Sequence, residues 1–315
     1  MAKVLLIGEP IALLIAKTVG PLEDVTEFTK KLAGAEVNVG IGLKRLGHEV
    51  KFITMLGADP FGRYVKATLE QAGINTELTT FDATASTGFM LKSKVLTGDP
   101  PIAFYCKASA ATKIGPELIE NLDLTDLDLI HITGVFPAIS KTCRQAVKRL
   151  MERAKKAKIC LSFDPNLRPT LWNNDAEMIK WTNCLATLAD IVLPGLEEGL
   201  ILTGLNDPSK IADFYQQLGV KQVVVKLGAA GAYLRDGEKS TVIPGFKVEN
   251  IIDTVGAGDG FATGVISGLI EGLSLDDAVI RGNAIGAIQI QHISDNEALP
   301  TKESLATYLL NFESN

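Results

Sequence analysis

The sequence predicts an α/β protein built on a doubly wound, mainly parallel sheet with helices on both faces. Short apolar runs alternate with amphipathic helical patterns along most of the chain. The apolar runs are continuous, which is typical of parallel strands that are buried on both faces. Strands and helices in this alternation are joined by right-handed crossovers, which place the helices over the sheet.

The predicted elements follow one another in a regular order. The strands are KVLLIG, EVKFITMLG, DLIHITG, KICLSFDP, DIVLPG and QVVVKLG. The helices between them are AEVNVGIGLKRLG, GRYVKATLEQAG, SKTCRQAVKRLMERAKKA, DAEMIKWTNCLATLA and PSKIADFYQQLG, and the chain is mostly helical after residue 260. No internal repeat or linker is visible in the 315 residues, so we expect a single domain over residues 1–315 with a large buried core.

Residues 11–30 and 84–107 do not follow this alternation. Both segments have the composition of strands, with Thr, Gly and Pro at the turns, but neither contains a helical pattern. We expect them to pair as a small antiparallel sheet that projects from the main sheet as a lid over the strand ends. An ordinary pair of hairpins is the alternative.

Charge and cysteine content argue against several classes of protein. The net charge of −6 gives no electrostatic reason to expect a nucleic acid or an anionic membrane as a partner. The four cysteines are isolated and form no CxxC or metal-ligand pattern, which indicates a reducing compartment. Glu9 and Pro10 break the apolar N-terminal stretch, which predicts a strand and not a signal peptide, and no run is long enough to span a membrane. We expect a cytoplasmic protein.

The stretch DTVGAGDG, residues 253–260, predicts an anion-binding loop. Its small residues let backbone N–H groups converge, and the apolar helix that follows adds the positive end of its dipole. Phosphate is the expected anion. A carboxylate at such a site is explained if Asp259 accepts the proton of a hydroxyl that attacks the phosphorus.

The glycine-rich stretches do not match two other phosphate-binding motifs. A dinucleotide fingerprint, G-x-G-x-x-G, that starts at Gly256 and Gly258 needs its third glycine at position 261, where this chain has Phe261. The stretch GADPFGRY lacks the Lys and Ser or Thr of a Walker A loop. A glycine-rich helix start that serves only close packing remains open from these residues alone.

Two long motifs resemble the signatures of the ribokinase-like sugar kinases, the PfkB family. They are DTVGAGDGFATGVI near the C-terminus and AGAEVNVGIGLKRLGHEVKFITMLG near the N-terminus. The order of strands and helices between them is also similar, so the resemblance covers essentially all of the chain. It implies ATP as the phosphate donor, Asp259 as the catalytic base, and Gly256, Ala257 and Gly258 as the anion hole.

The resemblance also implies where the nucleotide and the metal lie. The residues expected at the nucleotide, besides Gly256 and Gly258, are Asn166, Lys226, Gly228, Gly231 and Asn283. The stretch LPGLEEG stands where the family has N-x-x-E, with Gly195 in place of the Asn. Glu198 is retained and is expected to organise water bound to Mg²⁺.

The residues expected at the substrate point to an acidic sugar. After the first strand, GEPIALLIA lacks the Asp with which many family members hold two sugar hydroxyls. Lys107 and Arg168 could converge on an anionic group, since the planar fork of Arg binds both oxygens of a carboxylate. An ion pair of Arg168 with a neighbouring Asp or with an ATP phosphate is the alternative.

The combination of GEP, AFYCK and DPNLRPTLW resembles the subgroup that phosphorylates 2-keto-3-deoxygluconate. By this resemblance Gly34 and Asn38 contact the substrate, and Tyr105 and Lys107 stand at the positions of a Tyr and an Arg on the lid. The resemblance therefore implies an ATP- and Mg²⁺-dependent kinase that acts on a primary hydroxyl of a small sugar acid. A fructokinase-like enzyme and, because of Gly195, a non-catalytic sugar-acid sensor are the alternatives. The exposed strand edges of the lid favour a homo-oligomer formed through it.

Overall fold

The computed structural model describes residues 1–96, 100–292 and 296–313. Its strands are β1 Lys3–Ile7, β2 Ile11–Val19, β3 Phe28–Ala33, β4 Glu49–Gly57, β5 Thr79–Asp82, β6 Phe89–Lys94, β7 Ile102–Tyr105, β8 Leu129–Thr133, β9 Cys160–Asp164, β10 Ile191–Val192, β11 Gln222–Lys226, β12 Ala232–Asp236 and β13 Lys239–Ile243. Its helices are α1 Ala35–Arg45, α2 Pro60–Gln71, α3 Pro116–Glu120, α4 Val135–Ile139, α5 Lys141–Ala157, α6 Asp175–Ala186, α7 Leu196–Thr203, α8 Pro208–Gln217, α9 Ala257–Ile270, α10 Leu275–Gln289 and α11 Lys302–Glu313.

The main sheet has the strand order β13-β12-β11-β10-β9-β8-β1-β4-β5. All neighbours from β11 to β5 are parallel, which confirms the mainly parallel sheet. The antiparallel pairs β11–β12 and β12–β13 at one edge were not predicted.

Helices cover both faces of this sheet, as the continuous apolar strands predict. Alternate residues of β1 pack on opposite sides. Val4 and Leu6 pack with buried residues of α1, α9 and α10, whereas Leu5 and Ile7 pack with buried residues of α5 and α8. Strand β8 is buried at every position, including its polar residues His131 and Thr133, as expected for a central parallel strand covered on both faces.

The strand order reverses direction at β1. From β1 the chain continues to β4 and β5 on one side, and later to β8, β9, β10 and β11 on the other side. In open α/β sheets, ligands bind in the crevice at the carboxyl ends of the strands where this reversal occurs. The residues that follow β1, β8 and β9 are therefore the first place to look for a site.

Strands β2, β3, β6 and β7 form a separate four-stranded sheet in the order β3-β2-β6-β7, which we call the lid. Its strands lie in the two segments predicted for it, except that β3 extends to Ala33, and residues 97–99 of the second segment lie outside the described residues. The prediction that the lid is antiparallel was wrong for its central pair, since β2 and β6 run parallel. Both strands continue from parallel strands of the main sheet, β1 and β5, and so leave it in the same direction.

Helix α9 begins at Ala257, within the glycine-rich stretch 253–260. Gly256 precedes it with φ +80°, a left-handed conformation that glycine adopts without strain. The carboxylate of Asp253 accepts a hydrogen bond from the N–H of Val255 at 3.0 Å and fixes the turn before the helix. Further along, α9 and α10 pack closely, because a Cβ on Gly264 would lie only 2.5 Å from the Cα of Gly282. No helix in the described part of the chain is both long and apolar enough to cross a membrane.

Candidate active site

Asp259 lies in the first turn of α9, is buried, and has both carboxylate oxygens held by amide side chains. Asn38 on α1 donates from Nδ2 to Oδ2 at 2.7 Å. Asn166, in the turn after β9, donates from Nδ2 to Oδ1 at 3.1 Å. The backbone of Asn166 is in the left-handed region with φ +38°, which Asn tolerates better than most residues. The orientation of the carboxylate is thus fixed from two different parts of the fold.

The surroundings of Asp259 suit a general base that works near neutral pH. Burial raises the pKa of Asp259 to about 7. The hydrogen bond from Asn38 lowers this pKa, the nearby carboxylate of Asp164 raises it, and the positive charges of Arg168 and Lys226 lower it. A base with a pKa close to the working pH combines the required ionisation with a useful affinity for the proton.

Residues 256–258, which we call the anion loop, have a second source of positive charge beside them. The ammonium of Lys226 lies 3.8 Å from the position that a Cβ on Gly258 would occupy, and apart from the adjacent residues and the backbone of α9 no other heavy atom of the described structure lies within 4 Å of that position. The N–H groups at the start of α9 and the ammonium therefore border the same open space. Both favour a bound anion.

Lys226 is held in place by an ion pair with Asp164, the last residue of β9. Its Nζ lies 2.9 Å from Oδ1 and 2.7 Å from Oδ2, and the carboxylate is almost completely buried. Asp164 also accepts a hydrogen bond from the backbone N–H of Asn166 at 3.2 Å. This pairing was not predictable from the sequence, in which the only signal was a charged residue at the end of each of two apolar strands.

Both carboxylate oxygens of Glu198 accept hydrogen bonds from the backbone, whereas the sequence analysis expected this side chain to organise water bound to Mg²⁺. Its Oε1 accepts the N–H of Leu167 and its Oε2 accepts the N–H of Gly195, both at 2.7 Å. The carboxylate thereby caps the start of α7 and fixes the chain after β9. The helix is capped without an Asn at position 195, so its absence leaves the local structure intact.

The residues expected at the substrate lie around the carboxyl end of β1 and on the lid. Gly34 precedes α1 with φ +137°. The Tyr105 ring is half exposed on the lid and stacks on Phe89, with centroids 4.7 Å apart. Lys107 is exposed in the turn after β7. Asn38 has both ends of its amide occupied within the protein, since its Oδ1 accepts from Asn296 at 3.0 Å.

Arg168 is exposed next to this space and donates to the carbonyl of its neighbour Leu167 at 2.9 Å. In the part of the chain that the structure describes, Arg168 makes no ion pair within 4.0 Å, so the predicted alternative of a pair with a neighbouring Asp is not found there. Its charge nevertheless lowers the pKa of Asp259, with a smaller effect than burial, the hydrogen bond from Asn38 and the charge of Asp164.

Two of the residues expected at the nucleotide, Asn283 and Gly231, meet at the end of β13. The Nδ2 of Asn283 donates to the carbonyls of Ile243 and Pro244 at 3.3 and 3.0 Å. Gly231 lies so close that a Cβ there would be 2.1 Å from the carbonyl oxygen of Ile243. Gly228 borders open space. Asn283 and Gly231 therefore shape this wall, whereas the amide of Asn166 is directed at Asp259.

Lys92 of β6 forms an ion pair with Asp253, with 3.1 Å between Nζ and Oδ2. Both side chains are largely buried. Because Asp253 also fixes the turn before the anion loop, the position of the lid is coupled to that loop.

Two buried carboxyl groups, Glu9 and Glu36, were missed by the sequence analysis. The hydroxyl of Ser109 donates to Glu9 and that of Thr133 to Glu36, each at 2.5 Å. Among the described residues neither glutamate has a basic partner within 4.0 Å. Burial raises the pKa of each to about 7 despite the hydroxyl bonds, which lower it. The only signal in the sequence was a charged residue at the end of an apolar strand and another within an apolar helix.

Glu9→Gln should stabilise the protein at neutral and alkaline pH but not in acid. A folded pKa of about 7, raised from 4.5, means that the folded protein binds more protons than the unfolded chain between these values. Stability conferred by the protonated form is therefore lost as the pH rises through this interval, by up to about 3 kcal/mol. Urea denaturation at about pH 5 and about pH 8 measures the difference. The exposed Glu238→Gln controls for the loss of one charge, and a gain independent of pH would contradict the prediction.

Comparison with known proteins agrees with this geometry. The family described as pfkB family carbohydrate kinase matches residues 1–302. The 2-dehydro-3-deoxygluconokinase of Bacillus subtilis (strain 168) is 42% identical over 303 residues, which are 96% of this chain and 94% of that protein. The crystal structure of a PfkB protein from Polaromonas sp. JS666 has a TM-score of 0.89 and 46% identity, covering 98% of this chain and 99% of that one. An E. coli structure in complex with ATP and Mg²⁺ has a TM-score of 0.89 and 26% identity, covering 99% and 100%. With two signature motifs, a ribokinase-like fold and a match over nearly its whole length, the chain belongs to the pfkB family of carbohydrate kinases.

Proposed function

We propose that residues 1–315 form one kinase domain that transfers the γ-phosphoryl group of ATP to a primary hydroxyl of 2-keto-3-deoxygluconate. The observation that carries the proposal is the position of Asp259. A buried carboxylate, oriented by two amides, lies at the same helix start as the anion loop and beside the ammonium of Lys226. A base and an anion site in one place are what phosphoryl transfer to a hydroxyl requires.

In this reaction Asp259 accepts the proton of the sugar hydroxyl as the hydroxyl oxygen forms its bond to the γ-phosphorus. The bond between that phosphorus and the bridging oxygen breaks, and ADP leaves with the electron pair. The N–H groups of residues 256–258 and the ammonium of Lys226 stabilise the charge on the phosphoryl oxygens. Closure of the lid would exclude water, which could otherwise accept the phosphoryl group.

The chain's own residues fit ATP and Mg²⁺ as reactants. The open space over Gly258 and Gly228 leaves room for phosphates at backbone N–H groups. In the described residues no cluster of three His, Cys, Asp or Glu side chains could hold a metal ion. This agrees with a Mg²⁺ held mainly by phosphates and water, with Glu198 orienting part of that water through its remaining lone pairs. When bound, Mg²⁺ supplies charge neutralisation at the phosphates.

The substrate class rests on the cationic side chains beside the site. Arg168 and Lys107 are exposed, and in the described part of the chain neither makes an ion pair within 4.0 Å. They can therefore bind an anionic group without breaking an existing pair, and Arg168 can bind both oxygens of a carboxylate. The similarity to a protein named 2-dehydro-3-deoxygluconokinase supports this choice among sugar acids.

A coupled assay of ADP release tests the proposal with 2-keto-3-deoxygluconate, gluconate, fructose and ribose in parallel. We expect strong preference for the keto-deoxy acid. Arg168→Ala should raise KM for this acid by about 10- to 100-fold, because a charge-assisted contact is worth about 1.5 to 3 kcal/mol, and Arg168→Lys should recover part of the loss.

The same variants on fructose provide the control, because a neutral sugar has no carboxylate for Arg168 to bind. An equal loss on fructose would contradict a carboxylate contact. Preference for fructose in the unmodified protein would retain the role of Asp259 and reject the sugar acid. Binding of the acid without any turnover would favour the sugar-acid sensor.

We also propose that the chain forms a homo-oligomer through the lid. Val19, Ile102 and Phe104 are exposed there to 52%, 37% and 55%. Apolar side chains beside strand edges are usually covered by a partner. Light scattering of Phe104→Ser should show a smaller particle than the unmodified protein, and an unchanged mass would reject this surface.

A further inference from the structure

The amide of Asn38 is connected to a residue far along the chain. Asn296 follows α10 and is half-buried. Its Nδ2 donates to the Oδ1 of Asn38 at 3.0 Å and also to the carbonyl of Leu32 at 3.0 Å. The Nδ2 of Asn38 in turn donates to the Oδ2 of Asp259 at 2.7 Å. Three side chains therefore form one chain of hydrogen bonds that ends on the catalytic carboxylate.

This chain of hydrogen bonds has a defined direction. An amide side chain can turn by half a rotation and exchange its oxygen and its NH₂ group. Because the NH₂ of Asn296 points at Asn38, the oxygen of Asn38 faces Asn296 and its NH₂ faces Asp259. If Asn38 were turned, its oxygen would face a carboxylate, and two acceptors without a proton between them do not attract each other.

The segment that carries Asn296 is itself fixed against α1. Nη1 of Arg45, the last residue of that helix, donates to the carbonyls of Asn296, Glu297 and Leu299 at 3.0, 2.9 and 2.7 Å. Asn38 lies near the start of the same helix. The backbone of residue 296 is therefore held by the helix on which Asn38 lies, which keeps the two amides in register.

We propose that Asn296 is a positioning residue that sets the orientation of the Asn38 amide and, through it, keeps Asp259 in the ionised, proton-accepting state. The side-chain amide of Asn296 donates to Leu32 and Asn38 and, among the described residues, has no hydrogen bond to Asp259 itself. It acts through Asn38, which both orients the carboxylate and supplies the donor that stabilises its charge. The inference rests on the proposed role of Asp259 as the base.

Charged side chains from several elements also face Asp259, but none of them is the one changed by a substitution at position 296. They are Glu36 on α1, Asp164 at the end of β9, Arg168 in the turn after it, and Lys226 at the end of β11. Substitution at position 296 leaves each of these side chains in place. A shift in the ionisation of Asp259 in such a variant would therefore report on the Asn38 hydrogen bond.

The test is the pH profile of kcat/KM for Asn296→Asp and Asn296→Ala. The Asp side chain has the same shape but cannot donate to Asn38, and it attracts the NH₂ of Asn38 away from Asp259. We expect the acid limb to move to higher pH by about one unit or more in Asn296→Asp, and by less in Asn296→Ala. At high pH, where Asp259 is ionised in every variant, the rates should converge to within about twofold.

Glu297→Gln controls for a change of charge on the same segment, because its exposed side chain is not part of the hydrogen-bond chain. Its profile should coincide with that of the unmodified protein. In an Asn38→Ala background, Asn296→Ala should add no further shift, since the connecting amide is gone, and Asn296→Asp should add less than it does alone, since only the direct repulsion between the two carboxylates remains.

Two results would overturn the proposal. A loss of rate that is equal at all pH values, or an unshifted profile, would show that Asn296 serves only to hold the segment. A further shift of the same size in the Asn38→Ala background would show that the effect bypasses Asn38. Asp259→Asn, measured alongside, separates this failure from failure of the proposed base, since only the latter leaves Asp259→Asn active.

Discussion

Asp259→Asn should lower kcat by roughly 10³-fold while the affinities for ATP and the sugar acid change by only a few-fold. Removal of a general base typically costs about 10² to 10⁴ in rate. Asn has the same shape as Asp and keeps the site filled, but it cannot take the proton from the attacking hydroxyl. The measurements are steady-state kcat from ADP release and dissociation constants from calorimetry.

The matched control is Asp236→Asn, which changes an exposed carboxylate at the end of β12. It should retain full turnover. Near-normal turnover of Asp259→Asn would reject the base assignment, whatever the fold or the family suggests, because fold and activity are separable.

Lys226→Met should destabilise the protein and also abolish most turnover. Among the described residues, loss of the ammonium leaves the buried carboxylate of Asp164 with one backbone N–H, that of Asn166, as its hydrogen-bond partner. Breaking a buried ion pair in this way costs about 3 to 5 kcal/mol. The same change removes the positive charge beside the anion loop, which lowers kcat independently of stability. Urea denaturation gives the first effect and ADP release at low temperature the second.

The double variant Lys226→Met/Asp164→Asn separates the two effects. With both charges removed, no ion remains buried without a partner, so most of the lost stability should return. Turnover should not return, because the ammonium is still missing. A double variant as unstable as Lys226→Met would show that the uncompensated charge of Asp164 is not the cause of the instability.

Much of the main sheet could be predicted because each of its buried strands is marked by a short continuous run of apolar residues. The continuous apolar runs of β1, β4, β8, β9 and β11 correspond to strands that are parallel and buried on both faces. The hairpin of β12 and β13 was not predicted, since its residues are partly exposed and show no strong pattern. In the lid, composition predicted strands, but composition contains no information on whether β2 and β6 run parallel.

The candidate site, like the sheet, could be predicted only in part from the sequence. The motif around Asp259 predicted an anion loop and a base, and the residues assigned to them lie at the start of α9. The specific partners of Asp259 were not predictable from spacing. Asn38 and Asn166 are 221 and 93 residues away from it in the chain, and their amides were expected at the substrate and the nucleotide.

The sequence by itself determined the class of fold, the positions of most strands and helices, the family and the identity of the glycine-rich loop. These properties depend on side-chain periodicity and on runs of small residues, which can be recognised within short segments of the sequence. Only the tertiary structure decided that Lys226 pairs with Asp164, that Glu9 and Glu36 are buried without a basic partner among the described residues, and that Asn296 is hydrogen-bonded to Asn38, which in turn donates to Asp259. Hydrogen bonds and ion pairs form between whichever groups the packed elements bring within about 3 Å, and residues distant in sequence meet only after the sheet has assembled.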